Sequence, residues 1–182
     1  MARYKVGLET RNRILDAVRS SLASRGLEGT TINAICQAAG VQAGSFYNLF
    51  DSKEQAILAV VREAIEAVDP DPKGVHTDTL ADLVGAYVKF ITGEPDLARV
   101  YIRVGVGEGL GDGSTAETFL AHHRRRVERF ADALARQVSG IDPEEAQMRA
   151  ESMLATLNGL AVQWLLDPAT DFEAHAERLL VP

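Results

Sequence analysis

The chain has 182 residues, a formal net charge of −7, 46% hydrophobic and 25% charged residues, and one cysteine. That length supplies a proper core for one large or two small domains. It has no apolar run of the ~18 residues a membrane span needs, no apolar stretch of a signal peptide after the basic start MARYKVGLETRNR, and too few cysteines for an intrachain disulfide or a metal cluster, so a cytoplasmic chain without metal or cofactor is expected.

The charge is unevenly spread. Residues 1–63 hold eight Lys/Arg against six Asp/Glu, a net of +2, and the remaining residues hold 11 bases against 20 acids, a net of −9. A basic head on an acidic body orients itself on a polyanion while the body is repelled.

In chain order, residues 9–25 carry Ile14, Val18 and Leu22 on one stripe and stop at Gly26, which predicts a first helix after a disordered tail holding Arg3 and Lys5. Ile32, Ile35, Cys36 and Ala39 recur at helical spacing and predict a short second helix, ended by Gly40 where positive φ is cheap only without a Cβ. Val41 plugs the angle, and a third helix runs from about Ala43 to Leu49. Its first residues, Ala43, Gly44 and Ser45, are small enough for close approach of phosphates and base edges.

Ser52 with Gln55 forms a capping-box pattern that opens a fourth helix over 53–68, with Ile57, Leu58, Val61, Ile65 and Val68 facing a core. Pro70-Asp71-Pro72-Lys73-Gly74 then reads as a stop and a domain hinge. Leu80, Leu83, Val84, Tyr87, Val88 and Ile91 mark a fifth helix ending near Gly93, and Pro95 opens a sixth with Leu97, Val100, Tyr101 and Val104. Ser114 with Glu117, and Asp142-Pro143 with Glu145, predict caps on two longer helices over about 115–138 and 143–166, and a last helix spans about 171–180. No segment alternates like a strand, so the expected class is all-α, with about nine helices.

Thr31, Ile32, Ile35, Ala39, Gly40, Val41, Gly44, Phe46, Tyr47, Phe50, Ser52, Lys53 and Glu54 stand in the register of a known pattern: threonine, apolar pairs, alanine-glycine-valine, glycine before an aromatic-tyrosine pair, then serine-lysine-glutamate. In these residues the chain resembles the TetR family of bacterial transcriptional regulators. The resemblance covers the first third of the chain, and beyond it lies mainly in length, helicity and the segment Trp164-Leu165-Leu166-Asp167-Pro168. Two positions depart from the pattern: Cys36 replaces a small alanine, and Gln42 replaces the serine that commonly caps the recognition helix.

The resemblance implies a helix-turn-helix head over residues 1–52 and a ligand-binding and dimerisation body over 53–182, joined by helix 53–68. It implies duplex contacts from Thr31, Gln42, Ser45, Tyr47, Asn48 and Lys53. Amides pair bidentately with adenine edges, so Gln42 and Asn48 are expected to read bases, while Thr31, Tyr47 and Lys53 suit phosphates. Asn48 serves equally well as a plain solvent-facing residue. One aromatic must pin the short helix, and Phe46 is assigned to the core and Tyr47 to DNA.

A single recognition helix spans too few base pairs for useful specificity, so a dimer on a palindrome is expected. Ala146, Ala150, Met153, Leu157, Leu160, Ala161 and Trp164, with Phe130, Leu134 and Val138 on the preceding helix, form stripes that suit an intersubunit four-helix bundle; burial in the monomer core is the alternative, and the resemblance favours dimerisation. Tyr87, Phe90, Tyr101, Phe119, Met153 and Trp164 are expected to line a pocket for a hydrophobic or amphipathic effector, with His123, Arg126 and Asn158 as polar handles; filling of the core is the alternative.

Arg124-Arg125-Arg126 reads as a solvated face, except that Arg126, seven residues after Phe119, also suits an inward position with His123 against an acidic effector group. Adjacent His122 and His123 lack the spacing for ligands on one helix face. The glycine alternation from Gly105 to Gly113 matches no phosphate-binding pattern. Cys36 reads as a small buried residue.

Three functions remain from sequence: a repressor released by a small effector, a DNA-binding protein whose body docks another protein, and an enzyme. No nucleophile elbow, H-E-x-x-H or catalytic carboxylate pair supports the last.

Overall fold

The computed structural model describes residues 2–75, 77–105 and 113–180, with no side-chain description for residues 2–5, 105 and 113–115. Among these residues the chain forms nine α-helices and a closing 3-10 turn: α1 (Ala2–Gly29), α2 (Ile32–Ala39), α3 (Ala43–Tyr47), α4 (Lys53–Ala67), α5 (Leu80–Gly93), α6 (Pro95–Gly105), α7 (Gly113–Gln137), α8 (Pro143–Leu166) and α9 (Phe172–Glu177). No strand occurs among the described residues, in agreement with the all-α expectation.

α1 departs from expectation at its start. It is helical from Ala2, where a disordered tail up to residue 8 was expected. Its far end behaves as Gly26 dictates: the backbone there takes φ 68, ψ −174, so the helix proper stops and a short turn follows. The Thr30 hydroxyl donates to the Gly26 carbonyl at 2.7 Å and holds that break. Ile14, Val18 and Leu22 are at most 3% exposed, and this stripe packs α1 against α2, α4 and α6.

Gly40 closes α2 in the left-handed conformation, φ 63 and ψ 41. Its N–H donates to Gln37 O, and Val41 N–H to Cys36 O at 3.0 Å, which settles the last carbonyls of the helix. The chain then starts α3 almost at once, packed on α2, and Phe46 is fully buried.

The helix starts show how far local patterns reach. Ser52 Oγ accepts from Gln55 N–H at 3.2 Å as expected, but the Gln55 amide turns to Asp51, accepting from its N–H and donating to its carboxylate. Asp142 caps α8 through Glu144 N–H, while the Glu145 carboxylate pairs with Arg149 at 2.6 Å instead of completing a box. α7 begins at Gly113, so Ser114 lies inside the first turn where a cap was expected. The complete capping box is one the sequence reading passed over: Thr79 Oγ1 accepts from Asp82 N–H, and the Asp82 carboxylate accepts from Thr79 N–H at 2.9 Å.

α4 packs on both α1 and α6, and α7 and α8 pair along their length, with α9 lying against α5 and α8. The stripe Ala146, Ala150, Leu157 and Ala161, at most 2% exposed, faces the protomer's own core, as do Phe130 and Leu134. The intersubunit placement offered for these residues is therefore corrected: the interior already covers them. Met153, Leu160 and Trp164 are half-buried against the same core.

Candidate nucleic-acid interface and effector site

The α2–α3 unit divides its side chains sharply. Phe46 is fully buried and meets Phe50 and Tyr47 at ring separations of 5.7 Å, while Tyr47 is 54% exposed. The split follows from five residues of helix: adjacent aromatics lie about 100° apart, so one enters the core and its neighbour leaves it. Thr31 caps α2, its hydroxyl accepting from Ala34 N–H at 3.2 Å, and remains at the surface. Gln42 sits at the N-cap of α3 in an extended conformation and its side chain makes no cap bond. The amide thus stands on the exposed rim with Ala43, Gly44 and Asn48, while Ser45 is half-buried. A Cβ on Gly44 would touch nothing within 4 Å, so no neighbour within the chain requires glycine there. Lys53, at the start of α4, lies 3.9 Å from the Glu54 carboxylate.

Several head bases are committed inside the chain. Arg11 pairs with Glu63 of α4 at 2.9 Å and Arg19 with Glu94 at 2.8 Å. Arg103 of α6 reaches back to Glu28 at 2.6 Å, and this hydrogen-bonded pairing holds the Glu28 carboxyl below its usual value. Pairs this open to solvent contribute little to stability. They do remove Arg11 and Arg19 from the free positive charge of the head.

In the body, Tyr87, Tyr101, Arg126 and Asn158 converge. The Tyr87 hydroxyl donates to Asn158 Oδ1 at 2.7 Å, and Arg126 donates to the Tyr101 hydroxyl and, at 3.4 Å, to the same Asn158 oxygen. The guanidinium carbon lies 4.8 Å from the Tyr87 ring centre and 5.4 Å from that of Tyr101. Phe90 meets Tyr101 edge-on at 5.7 Å, and Phe119 leans on the other side at 5.5 Å. Trp164 and Tyr87 approach this group through Phe172, at 6.5 and 6.3 Å. Tyr87, Phe90 and Tyr101 are buried, while Phe119, His123, Met153, Asn158 and Trp164 are half-buried. Of the residues expected to make a pocket, Tyr87, Phe90, Tyr101, Phe119, Arg126, Asn158 and, through Phe172, Trp164 are joined by these contacts and largely fill the region with one another, while Met153 packs half-buried on the core.

Burial pushes the Tyr87 hydroxyl pKa far up, so the ring stays neutral. Burial, then the neighbouring Arg126 charge, lowers the pKa of His123; burial, then Arg125, does the same for His122. Arg124 and Arg125 are exposed, as the solvated-face reading expects. Burial likewise raises the pKa of the Cys36 thiol, which does not suit redox sensing. Gly107, Gly109 and Gly111 lie outside the described residues.

The sequence reading missed a third cluster. Arg129 of α7 grips the Asp69 carboxylate with two bonds, at 2.9 and 3.1 Å, and donates to Asp78 at 2.7 Å. Arg136, two turns on, donates to the Asp78 carbonyl. Asp69 lies just after α4, so the chain is tied to α7 immediately before Pro70–Gly74, the segment expected to be a domain hinge. Its own turn adds Asp71 N–H to the Asp69 carboxylate and Val75 N–H to that of Asp71, both at 2.9 Å. The hydrogen bonds from Arg129 hold the Asp69 carboxyl below its usual value. A run of arginines on a helix face gave no sign of this, because the partners are up to 60 residues away.

Among the described residues no helix is long and apolar enough to cross a membrane, and no group of three or more His, Cys, Asp or Glu is placed to hold a metal.

Residues 14–60 match the sequence pattern of the bacterial regulatory proteins, tetR family. The chain is 42% identical over 52 residues to the HTH-type transcriptional repressor KstR2 of Rhodococcus jostii, a match covering 29% of this chain and 26% of that protein. The chain therefore spans about a quarter of that relative's length. Over nearly its whole extent it shares the fold of SmeT, the repressor of the Stenotrophomonas maltophilia multidrug efflux pump SmeDEF, with a TM-score of 0.68 at 21% identity, covering 94% of this chain and 88% of that one. The regulator FadR of Bacillus subtilis, solved in complex with stearoyl-CoA, superposes with a TM-score of 0.69 at 19% identity, over 92% of this chain and 94% of that one. Residues 14–60 thus carry the amino-terminal domain of the tetR family of bacterial regulatory proteins, and the described chain as a whole shares the fold of these solved regulators.

Proposed function

We propose that the chain is a homodimeric repressor that binds a palindromic operator and is released from it by a small hydrophobic or amphipathic effector. The observation that carries this reading is the outward set on α2 and α3, namely Thr31, Gln42, Tyr47 and Asn48 held at the surface by a fully buried Phe46. Gln42 and Asn48 read base edges; Thr31, Tyr47 and Lys53 meet phosphates. Ala43, Gly44 and Ser45 keep the approach short, and the space beside Gly44 is then occupied by the duplex.

Residues 1–52 act as the reading head and 53–182 as the ligand-binding and dimerising body, with α4 between them. The self-pairing face is the outer side of α8, where Met148, Ser152, Ala155, Gly159, Val162 and Leu166 recur at steps of four and three and are all exposed. Small residues at the middle of such a stripe let two helices approach closely, and Leu166, 81% exposed, has no cover within the protomer.

Binding of an effector near Tyr87, Tyr101 and Arg126 shifts α7. Arg129, one turn further along α7, passes that shift to Asp69 and so to α4 and the head. The linkage is reciprocal: an effector that weakens operator binding binds less tightly to the DNA complex by the same factor. Support for a small effector comes from relatives of like fold, one of which was solved with stearoyl-CoA. The close mutual packing of the aromatic residues favours one competing reading, a body that docks a partner protein and takes no small effector.

The test is selection of bound duplexes from random DNA with the full chain, with sedimentation at micromolar concentration and compounds added to the selected complex. A palindrome with half-sites about 34–36 Å apart, a dimer, and release by an apolar or amphipathic compound are expected. Sedimentation as monomer alone, with no palindrome, sinks the reading; a palindrome that no compound releases favours the partner protein.

A further inference from the structure

Arg126 brings a positive charge into the aromatic cluster of the body, where no carboxylate pairs with it among the described residues. Among the described residues it makes no ion pair, whereas Arg129 one turn away has two carboxylates. Its acceptors are the Tyr101 hydroxyl and the Asn158 amide oxygen, both neutral, and its cover is the faces of Tyr87 and Tyr101. Its Nε is buried and has no hydrogen-bond partner. Tyr87 stays neutral, because burial pushes its hydroxyl well above the ordinary tyrosine range. Burial also lowers the His123 pKa, so that imidazole adds no anion and little charge of its own at neutral pH. Charges out of water are stable when paired and hydrogen-bonded, and costly when one partner is missing.

We infer that Arg126 receives the acidic group of the effector, and that the effector class is a monoanionic carboxylate on an apolar body. This rests on the effector reading proposed above and narrows it. The unused Nε–H and Nη2 form one edge of the guanidinium, the edge that takes a carboxylate through two parallel bonds. Nη2 has only a 3.4 Å contact with Asn158 to give up, and Asn158 Oδ1 keeps its 2.7 Å bond from Tyr87 when it does. The pairing leaves no protein group unsatisfied. One guanidinium neutralises one negative charge, which favours a carboxylate over a doubly charged phosphate. The apolar remainder lies toward Phe119, Met153 and Trp164, the half-buried apolar side chains of this region. Half-buried Phe119, tilted against Tyr101 at 5.5 Å, is the side chain that moves aside to admit it.

The test is calorimetric titration of the full chain with decanoate against decanol and 2-naphthoate against 2-naphthol, each repeated with Arg126→Met, Arg126→Lys and Arg125→Gln. At least one acid is expected to bind its alcohol's site about tenfold or more tightly than the alcohol does, the scale of a charge-assisted pair. Arg126→Met erases that preference, Arg126→Lys retains part of it, and Arg125→Gln leaves it intact, which separates the inner guanidinium from attraction to the charged surface. Acids no tighter than their alcohols, a preference that survives Arg126→Met, or no binding by any of the four overturns the inference. If Arg126→Met fails to fold, the acid-to-alcohol comparison in the parent chain and Arg126→Lys still decide. Release of the selected operator, followed in parallel, separates the two ideas: release by alcohol and acid alike sinks the carboxylate class and keeps the effector reading, while an acid preferred through Arg126 that leaves DNA bound does the reverse.

Discussion

The head and the body treat polar side chains in opposite ways. In α2 and α3 the hydroxyls and amides of Thr31, Gln42, Tyr47 and Asn48 stand outward over an apolar floor. In the body, Tyr87, Tyr101, Arg126 and Asn158 turn their polar ends toward one another between α5, α6, α7 and α8. Groups held outward on a rigid helix pair suit a partner larger than the domain. Groups gathered inward suit a ligand small enough to be enclosed, or a structural core. The difference teaches that the two regions fail differently when altered: the head loses recognition while staying folded, and the body loses order before it loses contact.

The sharpest way to break that contrast is to remove the floor of the head. Phe46→Ala deletes a fully buried ring and should cost about 3–5 kcal/mol, with loss of DNA binding as a consequence of unfolding. Denaturation followed by circular dichroism checks it; a cost under about 1 kcal/mol would mean that the floor is not what positions Tyr47.

The tie between the regions comes next. Arg129→Ala leaves Asp69 unpaired and Asp78 with Arg136 alone. Arg129 and Asp69 retain about a quarter of their exposure, so we expect about 2–3 kcal/mol, below the 3–5 kcal/mol of a fully buried pair. If the latch also carries coupling, the variant still binds operator but responds less to effector. Unchanged release with lowered stability would make Arg129 a brace only.

The surface of the head should respond without unfolding. Tyr47→Ala should weaken binding to all duplexes alike, because phosphate contacts carry no direct sequence information. Gln42→Ala and Asn48→Ala should each relax preference at one or two symmetric positions, by about 1–3 kcal/mol where the contact is bidentate. Melting temperatures should match the parent in all three, and a selected motif unchanged by both amide variants would put base reading elsewhere.

How much of this was open to a reader of the sequence depends on the distance between partners. Much of the head was legible, since Gly40 and the Phe46–Tyr47 split rest on neighbours within a few positions, whereas the Thr31 cap and the helical start of α1 were not read from it. The body was legible as helices, with α8 bounded as expected at 143–166. Its faces were not. α8 is lined with small and apolar residues on two sides, so Ala150 and Leu157 on one side and Ala155 and Val162 on the other looked alike until a protomer core claimed the first. The residues of the Arg126 cluster were named one by one, but the bonds joining them span 25 to 71 positions. The Arg129 latch left no local trace at all.

The smallest expected effect is a pH dependence confined to the body. His122 and His123 have pKa values lowered from 6.5, chiefly by burial. The folded state then prefers them neutral while the unfolded chain takes up protons below that value. Stability from this source is complete above about pH 6.5 and is lost as pH falls through the lowered values. Thermal melts across that window should show the decline, and His122→Gln with His123→Gln should flatten it. Asp69 acts in a separate window: its contribution is present above 3.8 and is lost as pH falls through its lower folded value. A slope that persists in the double variant would assign the effect to other groups.

The sequence holds one cysteine, Cys36, and it is buried in the floor of the head with its thiolate disfavoured. A thiol reagent therefore reacts only in those moments when α2 lifts from α1, and its labelling rate counts such openings directly. The chain carries its own clock for the reading head, one that needs no engineered probe and leaves the body silent. Operator DNA should slow that clock, and an effector that frees the head from DNA should restore its pace.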